Sequence, residues 1–162
     1  MPDGAITREA AKWRTTGIKV VRAAQKSSDT PETLGMGRQV AISGQRSGST
    51  RLWAGTNLIR PGAKTGPHHH GELESVIYII RGHALMRWGE RLEYITRAGP
   101  GDFLLVPPFL PHQELNASDT EELHCALVRS GTEELVVNLE IADLEPNPEW
   151  ILEFPPATDV KA

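Results

Sequence analysis

From Gln39 onward the chain alternates apolar and polar residues with a period of two, in short runs punctuated by glycine and proline. That period places successive side chains on opposite faces of an extended strand. Gln39–Ser43, Arg51–Arg60, Glu74–Arg81, His83–Trp88, Leu92–Thr96, Phe103–Val106, Glu122–Arg129 and Glu134–Glu140 all read as strands. The run Val76-Ile77-Tyr78-Ile79-Ile80 is the densest in β-branched and aromatic side chains, and Gly82 ends it. Gly89-Glu90 and Ala98-Gly99-Pro100-Gly101 read as turns. Before this region the pattern differs. Thr7–Thr16 predicts the one helix, with Gly17 as its C-terminal cap, and Ile18–Val21 predicts a short strand. Ser27–Gly37 reads as loop, and so does the polar stretch after Ser43 through Ser49. About ten short strands and a single helix predict an all-β sandwich or barrel.

Composition narrows the class of protein. The 162 residues suit one domain with a real core. Lys and Arg number 17 against 21 Asp and Glu, a net charge of −4, with no dense basic block. Nucleic-acid binding is therefore not expected. The longest strongly apolar run, Phe103–Pro111, is far shorter than a bilayer span and holds three prolines, so no membrane partner is expected. The start Met1-Pro2-Asp3-Gly4 lacks a signal-peptide pattern, and Cys125 is the lone cysteine, which points to a reducing cytoplasm. Residues 1–37 read as an N-terminal helix and strand arm, 38–141 as the barrel, and 142–162 as a proline-rich acidic tail strapped over it.

The candidate chemistry sits in two stretches. In Gly62-Ala-Lys-Thr-Gly-Pro-His68-His69-His70-Gly-Glu72-Leu-Glu74, strand parity turns His68 and His70 to one face and His69 to the other. Glu74 keeps the parity of His68 and His70 after a kink at Gly71, so two imidazoles and a carboxylate form a facial metal-binding set. In Gly101–Asn116, prolines 107, 108 and 111 stiffen the approach to His112. Gln113 and Glu114 flank that histidine as supporting groups. Glu72 reads as a solvated carboxylate, and His83 and His124 as ordinary strand residues. Tyr78, Met86 and Trp88 share parity and read as one packed face. Arg51, Arg60 and Arg87 are the strand arginines from which an inward anion-binding group is expected.

These residues resemble the two signature motifs of the cupin superfamily. The first motif, Gly-x5-His-x-His-x3 or x4-Glu-x6-Gly, is met by Gly62, His68, His70, Glu74 and Gly82, with the last gap one residue longer than usual. The second, Gly-x5-Pro-x-Gly-x2-His-x3-Asn, is met by Gly101, Pro107, His112 and Asn116, with Phe109 in place of the glycine. The resemblance implies a double-stranded β-helix, the jelly-roll barrel of cupins, behind a short N-terminal helix. It implies metal ligands at His68, His70, Glu74 and His112. The expected cofactor is one divalent transition metal, manganese or iron first and nickel or zinc after them. It also implies a homodimer joined through edge strands, with Ile18–Val21 as the added strand.

The resemblance further implies a metal-dependent enzyme acting on a small anionic metabolite. The whole-chain layout is similar to methylthioxylulose-phosphate methylsulfurylases, which implies methylthio elimination or transfer from 1-methylthioxylulose 5-phosphate to a thiol such as glutathione. In that reading Cys125, if it faces the metal, is the candidate catalytic nucleophile. The alternatives are an iron-dependent cupin dioxygenase and a non-catalytic small-molecule-binding cupin.

Overall fold

The computed structural model describes residues 8–33 and 35–153. Its chain order is α1 (Arg8–Thr16), β1 (Met36–Ile42), α2 (Gly44–Ser47), β2 (Leu52–Ile59), β3 (His68–His69), β4 (Ser75–Arg81), β5 (Ala84–Trp88), β6 (Tyr94–Ala98), β7 (Phe103–Val106), β8 (His112–Asn116), β9 (Leu123–Ser130), β10 (Val137–Asn138) and β11 (Glu149–Trp150). A single 3-10 turn, Ala23–Gln25, lies between α1 and β1. The strands form two sheets, ordered β1-β2-β9-β4-β7 and β10-β3-β8-β5-β6-β11. All named pairings are antiparallel except the parallel pair of β11 with β6. This is the all-β architecture expected from the strand pattern, in the double-stranded β-helix form that the cupin resemblance implies.

Period-two burial explains why the sheets close on each other. Along β2, Trp53, Gly55, Asn57 and Ile59 point inward, and along β9 so do Leu123, Cys125, Leu127 and Arg129. The core cluster draws Val40, Trp53, Ile77, Ile79, Val106, Cys125 and Leu127 from the first sheet and Ala84, Met86 and Ala98 from the second. A fully buried side chain such as Ile79 contributes about 2 kcal/mol through its removal from water.

The structure differs from the sequence reading at several elements. Ile18–Val21 is not a strand, and Ile18 is 100% exposed. The edge of β1 at Val40 is taken by Ser27 instead, whose N–H donates to Val40 O at 3.0 Å and whose O accepts from Val40 N–H at 2.8 Å. β1 begins three residues earlier than Gln39, and the polar stretch after Ser43 holds α2, capped by the Ser43 hydroxyl. The stretch from His112 to Asn116 is a strand, paired with β5 along its whole length. Tyr78 lies on the outer face of its sheet, apart from Met86 and Trp88, because the inward phase of β4 is Ser75, Ile77 and Ile79. Thr7 of the expected helix lies outside the described residues. In the tail, residues 145–151 run beside β6: Glu145 N–H donates to Arg91 O and Ile151 N–H to Ile95 O, each at 2.9 Å.

Candidate metal centre

His68 opens the short strand β3 and sits directly opposite His112, the first residue of β8. His70 follows in the same phase, with His69 turned away. All three of His68, His70 and His112 are buried, and their ligand atoms lie within 4.8 Å of one another. Ring centroids are 4.4 Å apart for His68–His112, 4.9 Å for His68–His70 and 5.2 Å for His70–His112.

Each Nδ1 lies against a backbone carbonyl: Gly66 O at 2.8 Å from His68, Leu135 O at 2.7 Å from His70, and Leu110 O at 2.8 Å from His112. A carbonyl can only accept, so each Nδ1 carries the proton and each Nε2 keeps its lone pair. Burial reinforces this tautomer. Desolvation pushes His68 down to about 4, His70 to about 2 and His112 to about 3, so all three stay neutral. The charge of Arg129 adds to the depression at each ring. Three neutral imidazoles gathered in a buried space, each locked from behind, form a donor set that a first-row divalent cation fits.

Glu74 is not part of this group. It is exposed, and its backbone N–H donates to Ser130 Oγ at 2.9 Å. The cause is local. The chain turns at His70–Leu73, with Leu73 N–H donating to His70 O at 3.1 Å and Gly71 at φ 57°. The left-handed backbone favours glycine there, and a Cβ on Gly71 would press on Leu135 Cδ2 at 2.7 Å. The turn resets strand parity and brings Ser75, not Glu74, inward. The signal was in the spacing: the gap from Glu74 to Gly82 is one residue too long, whereas six residues separate Ser75 from that glycine.

Ser75 Oγ accepts from Arg129 Nε at 2.8 Å, and Arg129 Nη1 also pairs with Glu134. Arg38 Nη1 reaches the same Glu134 carboxylate at 3.5 Å, and Arg38 Nη2 donates to Thr33 Oγ1 at 2.9 Å. The inward arginines are thus Arg38 and Arg129. Arg51 and Arg60 are exposed, and Arg87 binds the Leu92 and Glu145 carbonyls on the other side of its sheet. The sequence reading missed this pair because both lie in strands whose inward phase only the assembled sheet reveals.

The remaining candidates fall into place around the histidines. Glu114 is buried on the His112 face of β8, with Oε2 unpaired and its carboxyl raised by desolvation. Gln113 turns the other way and donates to Thr65 O at 2.8 Å. Cys125 faces inward in the core, and burial, aided by the Glu114 charge, pushes its thiol up to about 12. His69 Nδ1 accepts from Gly71 N–H at 2.9 Å. Glu72 and His83 are exposed, and His124 pairs with Glu122 at 3.2 Å. Phe109, at the place of the motif glycine, keeps that glycine's left-handed backbone at φ 60°, and its N–H donates to Gly71 O at 2.7 Å.

A cavity of about 970 Å³ opens beside the centre, with His112 in its wall. Met86, Trp88, Leu104, Val106 and Leu110 line it, and Ile151 and Leu152 of the tail border it.

Two packed sheets with three inward histidines, each locked by a backbone carbonyl beside an open cavity, define a β-barrel with a candidate metal centre. The cupin-domain family model matches residues 58–129, which carry all three histidines, so this segment is a cupin domain. Solved structures agree on the fold. The polyketide cyclase RemF from Streptomyces resistomycificus is 20% identical, with 81% of this chain and 89% of that chain covered at a TM-score of 0.62. An uncharacterized double-stranded β-helix protein from Klebsiella pneumoniae is 18% identical, with 70% and 88% covered at 0.54. A variant of Bacillus subtilis oxalate decarboxylase is 21% identical, with 68% of this chain and 30% of that longer chain covered at 0.58. No curated protein matches the chain in sequence.

Proposed function

We propose that this chain is a metal-dependent cupin enzyme acting on a small organic molecule. His68, His70 and His112 hold one divalent transition metal, with manganese and iron as the first candidates. The observation that carries this reading is the set of three buried, neutral imidazoles, each fixed by a backbone carbonyl so that its Nε2 is free to coordinate. Bound there, the metal supplies Lewis-acid chemistry to a substrate oxygen. The protein's own part is to hold the rings rigid, to keep them unprotonated, and to shield the site inside the barrel. With Glu74 exposed, Ser75 stands at the inward position, which leaves coordination positions open for substrate.

Two neighbours whose names state a reaction, a polyketide cyclase and an oxalate decarboxylase, act on small organic molecules. We place the reaction on the metal and not on a protein thiol. A thiol as buried and as strongly protonated as that of Cys125 is a poor nucleophile, and this weighs against methylthio transfer through it, with or without glutathione. Iron-dependent dioxygen chemistry is the second reading, favoured by the same open positions.

The test is metal analysis after incubation with manganese, iron, nickel and zinc, followed by oxygen-uptake measurements on the loaded protein. One tightly held ion per chain is the expected result. Oxygen consumption with iron selects the dioxygenase. A chain that stays metal-free with every ion overturns the reading in favour of a binding module.

The proposed assembly is a homodimer. Ile18–Val21 forms no strand, but the outer face of the five-stranded sheet exposes Tyr78, Ile80, Phe103, Leu105 and Val128. So large an apolar face suits contact with a second copy. Light scattering on the full chain should give twice the mass of one chain. A monomer at all concentrations would remove this proposal.

A further inference from the structure

The cavity beside His112 has a chemistry of its own. Resting on the metal-centre reading above, we propose that it receives the apolar, ring-bearing body of the substrate, with a weakly acidic oxygen (a phenol or enol) turned toward His68, His70 and His112.

Four observations carry the proposal. The first is size. At about 970 Å³ the cavity lies at the upper end of the range for organic ligands, and far exceeds what a two- or three-carbon acid fills. The second is lining. Trp88 pairs directly with His112 across β5 and β8, so both side chains stand on one face, the apolar surface beginning where the imidazole ends. Met86 stands on the same face of β5, and Leu104 and Val106 face it from β7 in the opposite sheet. Trp88 is the aromatic side chain of this inner wall, and Tyr94 packs behind it at 5.8 Å, which leaves the Trp88 ring to stack on a flat ligand.

The third observation is the rim. Leu152 is 75% exposed and borders the cavity beside half-buried Ile151. Exposed apolar side chains at a cavity mouth favour entry of an apolar molecule over a hydrated anion. The fourth is charge. Arg129 is already engaged with Ser75 and Glu134, and Arg38 with Glu134, Thr33 and the Pro31 carbonyl. Neither arginine lines this cavity. The cavity's own cation, Arg97, is exposed and stands with two carboxylates, Asp102 and Glu153, so a strongly anionic body meets no net positive charge, whereas a single acidic oxygen needs only the centre itself.

2-Naphthol is a suitable probe, with glycolate as its small polar counterpart. Calorimetry on the manganese-loaded full chain should show 2-naphthol binding at least roughly tenfold more tightly than glycolate. Leu104→Arg and Ile151→Asp should each weaken 2-naphthol by roughly tenfold or more while metal content stays unchanged. Two variants from different elements guard against one failing to fold. Metal-free protein should retain weaker 2-naphthol binding through the walls alone. If the metal fails to load, the metal-centre reading falls and this residual binding still reports on the cavity. If the metal loads and 2-naphthol binds no better than glycolate, the present inference falls by itself. It also falls if a chain ending at Glu153 binds the probe roughly tenfold more tightly, because the cavity's occupant is then the chain's own last segment. Dissociation of a dimer by 2-naphthol would likewise overturn it, by showing a second copy to be the occupant.

Discussion

The barrel interior has two unlike regions. Around the histidines it is polar and charged: His68, His70 and His112 share their surroundings with Ser75, Arg38, Arg129 and Glu134, all buried or nearly so. Beside Trp88 it is apolar and open, bounded by Met86, Leu104, Val106 and Leu110. The polar region is densely hydrogen-bonded, though Arg38 Nε, Glu114 Oε2 and Glu134 Oε2 lack partners, and the apolar region is hollow. A folded chain gains little from burying charges, because desolvation offsets their attraction. It gains nothing from leaving apolar walls uncovered. Both regions therefore carry a cost that folding alone does not explain, and a bound metal with an apolar ligand would relieve both.

The comparison is most easily broken at His112, which belongs to both regions. His112→Ala should lower metal affinity by more than about 100-fold, since it removes one of three ligands outright. Equilibrium dialysis reads this directly, and retention of the metal would detach the histidines from the proposed centre.

Acid should discriminate between the regions next. The three folded-state pKa values, about 4, 2 and 3, lie below the ordinary histidine value of 6.5. Below pH 6.5 the unfolded chain takes up protons that the folded chain refuses, so stability falls as pH falls. Summed over three rings, the metal-free protein should lose about 3 kcal/mol between pH 6.5 and 5.5. Urea midpoints at the two pH values measure it. A flat profile would mean that the rings are not held neutral.

A smaller effect is expected at Asn57, whose buried Oδ1 and Nδ2 both lack partners. Asn57→Leu, close in shape, removes an unpaired amide and should stabilise the fold by about 1 kcal/mol. A loss of thermal stability would show that the amide is satisfied in solution. The smallest effect belongs to Glu74. Exposed and turned away from the histidines, it should tolerate Glu74→Gln with a change in metal affinity below about twofold, as expected for a screened charge. A large drop would return the carboxylate to the centre and remove Ser75 from its place.

Much of this was legible in the chain. The strands β2, β4, β5, β7 and β9 carry the alternation that marked them, because each has one face in the core. The strand of His112–Asn116 was hidden because His, Gln, Glu and Asn do not read as strand residues, although four of its five positions are buried. Ile18–Val21 has strand-like residues but pairs with no strand, and Ser27 makes the bridge to Val40 on β1 instead, so propensity alone misled. Glu74 was misassigned by extending parity through a turn that resets it.

The sequence by itself determined that His68 and His70 stand on one face and that His112 follows a stiff turn, since side-chain direction along extended backbone repeats every two residues. Tertiary structure alone decided which residue after Gly71 turns inward, which arginines share the interior, and that an apolar hollow adjoins the imidazoles. Those depend on how distant strands pair and on the left-handed turn at Gly71, and neither is written in local periodicity.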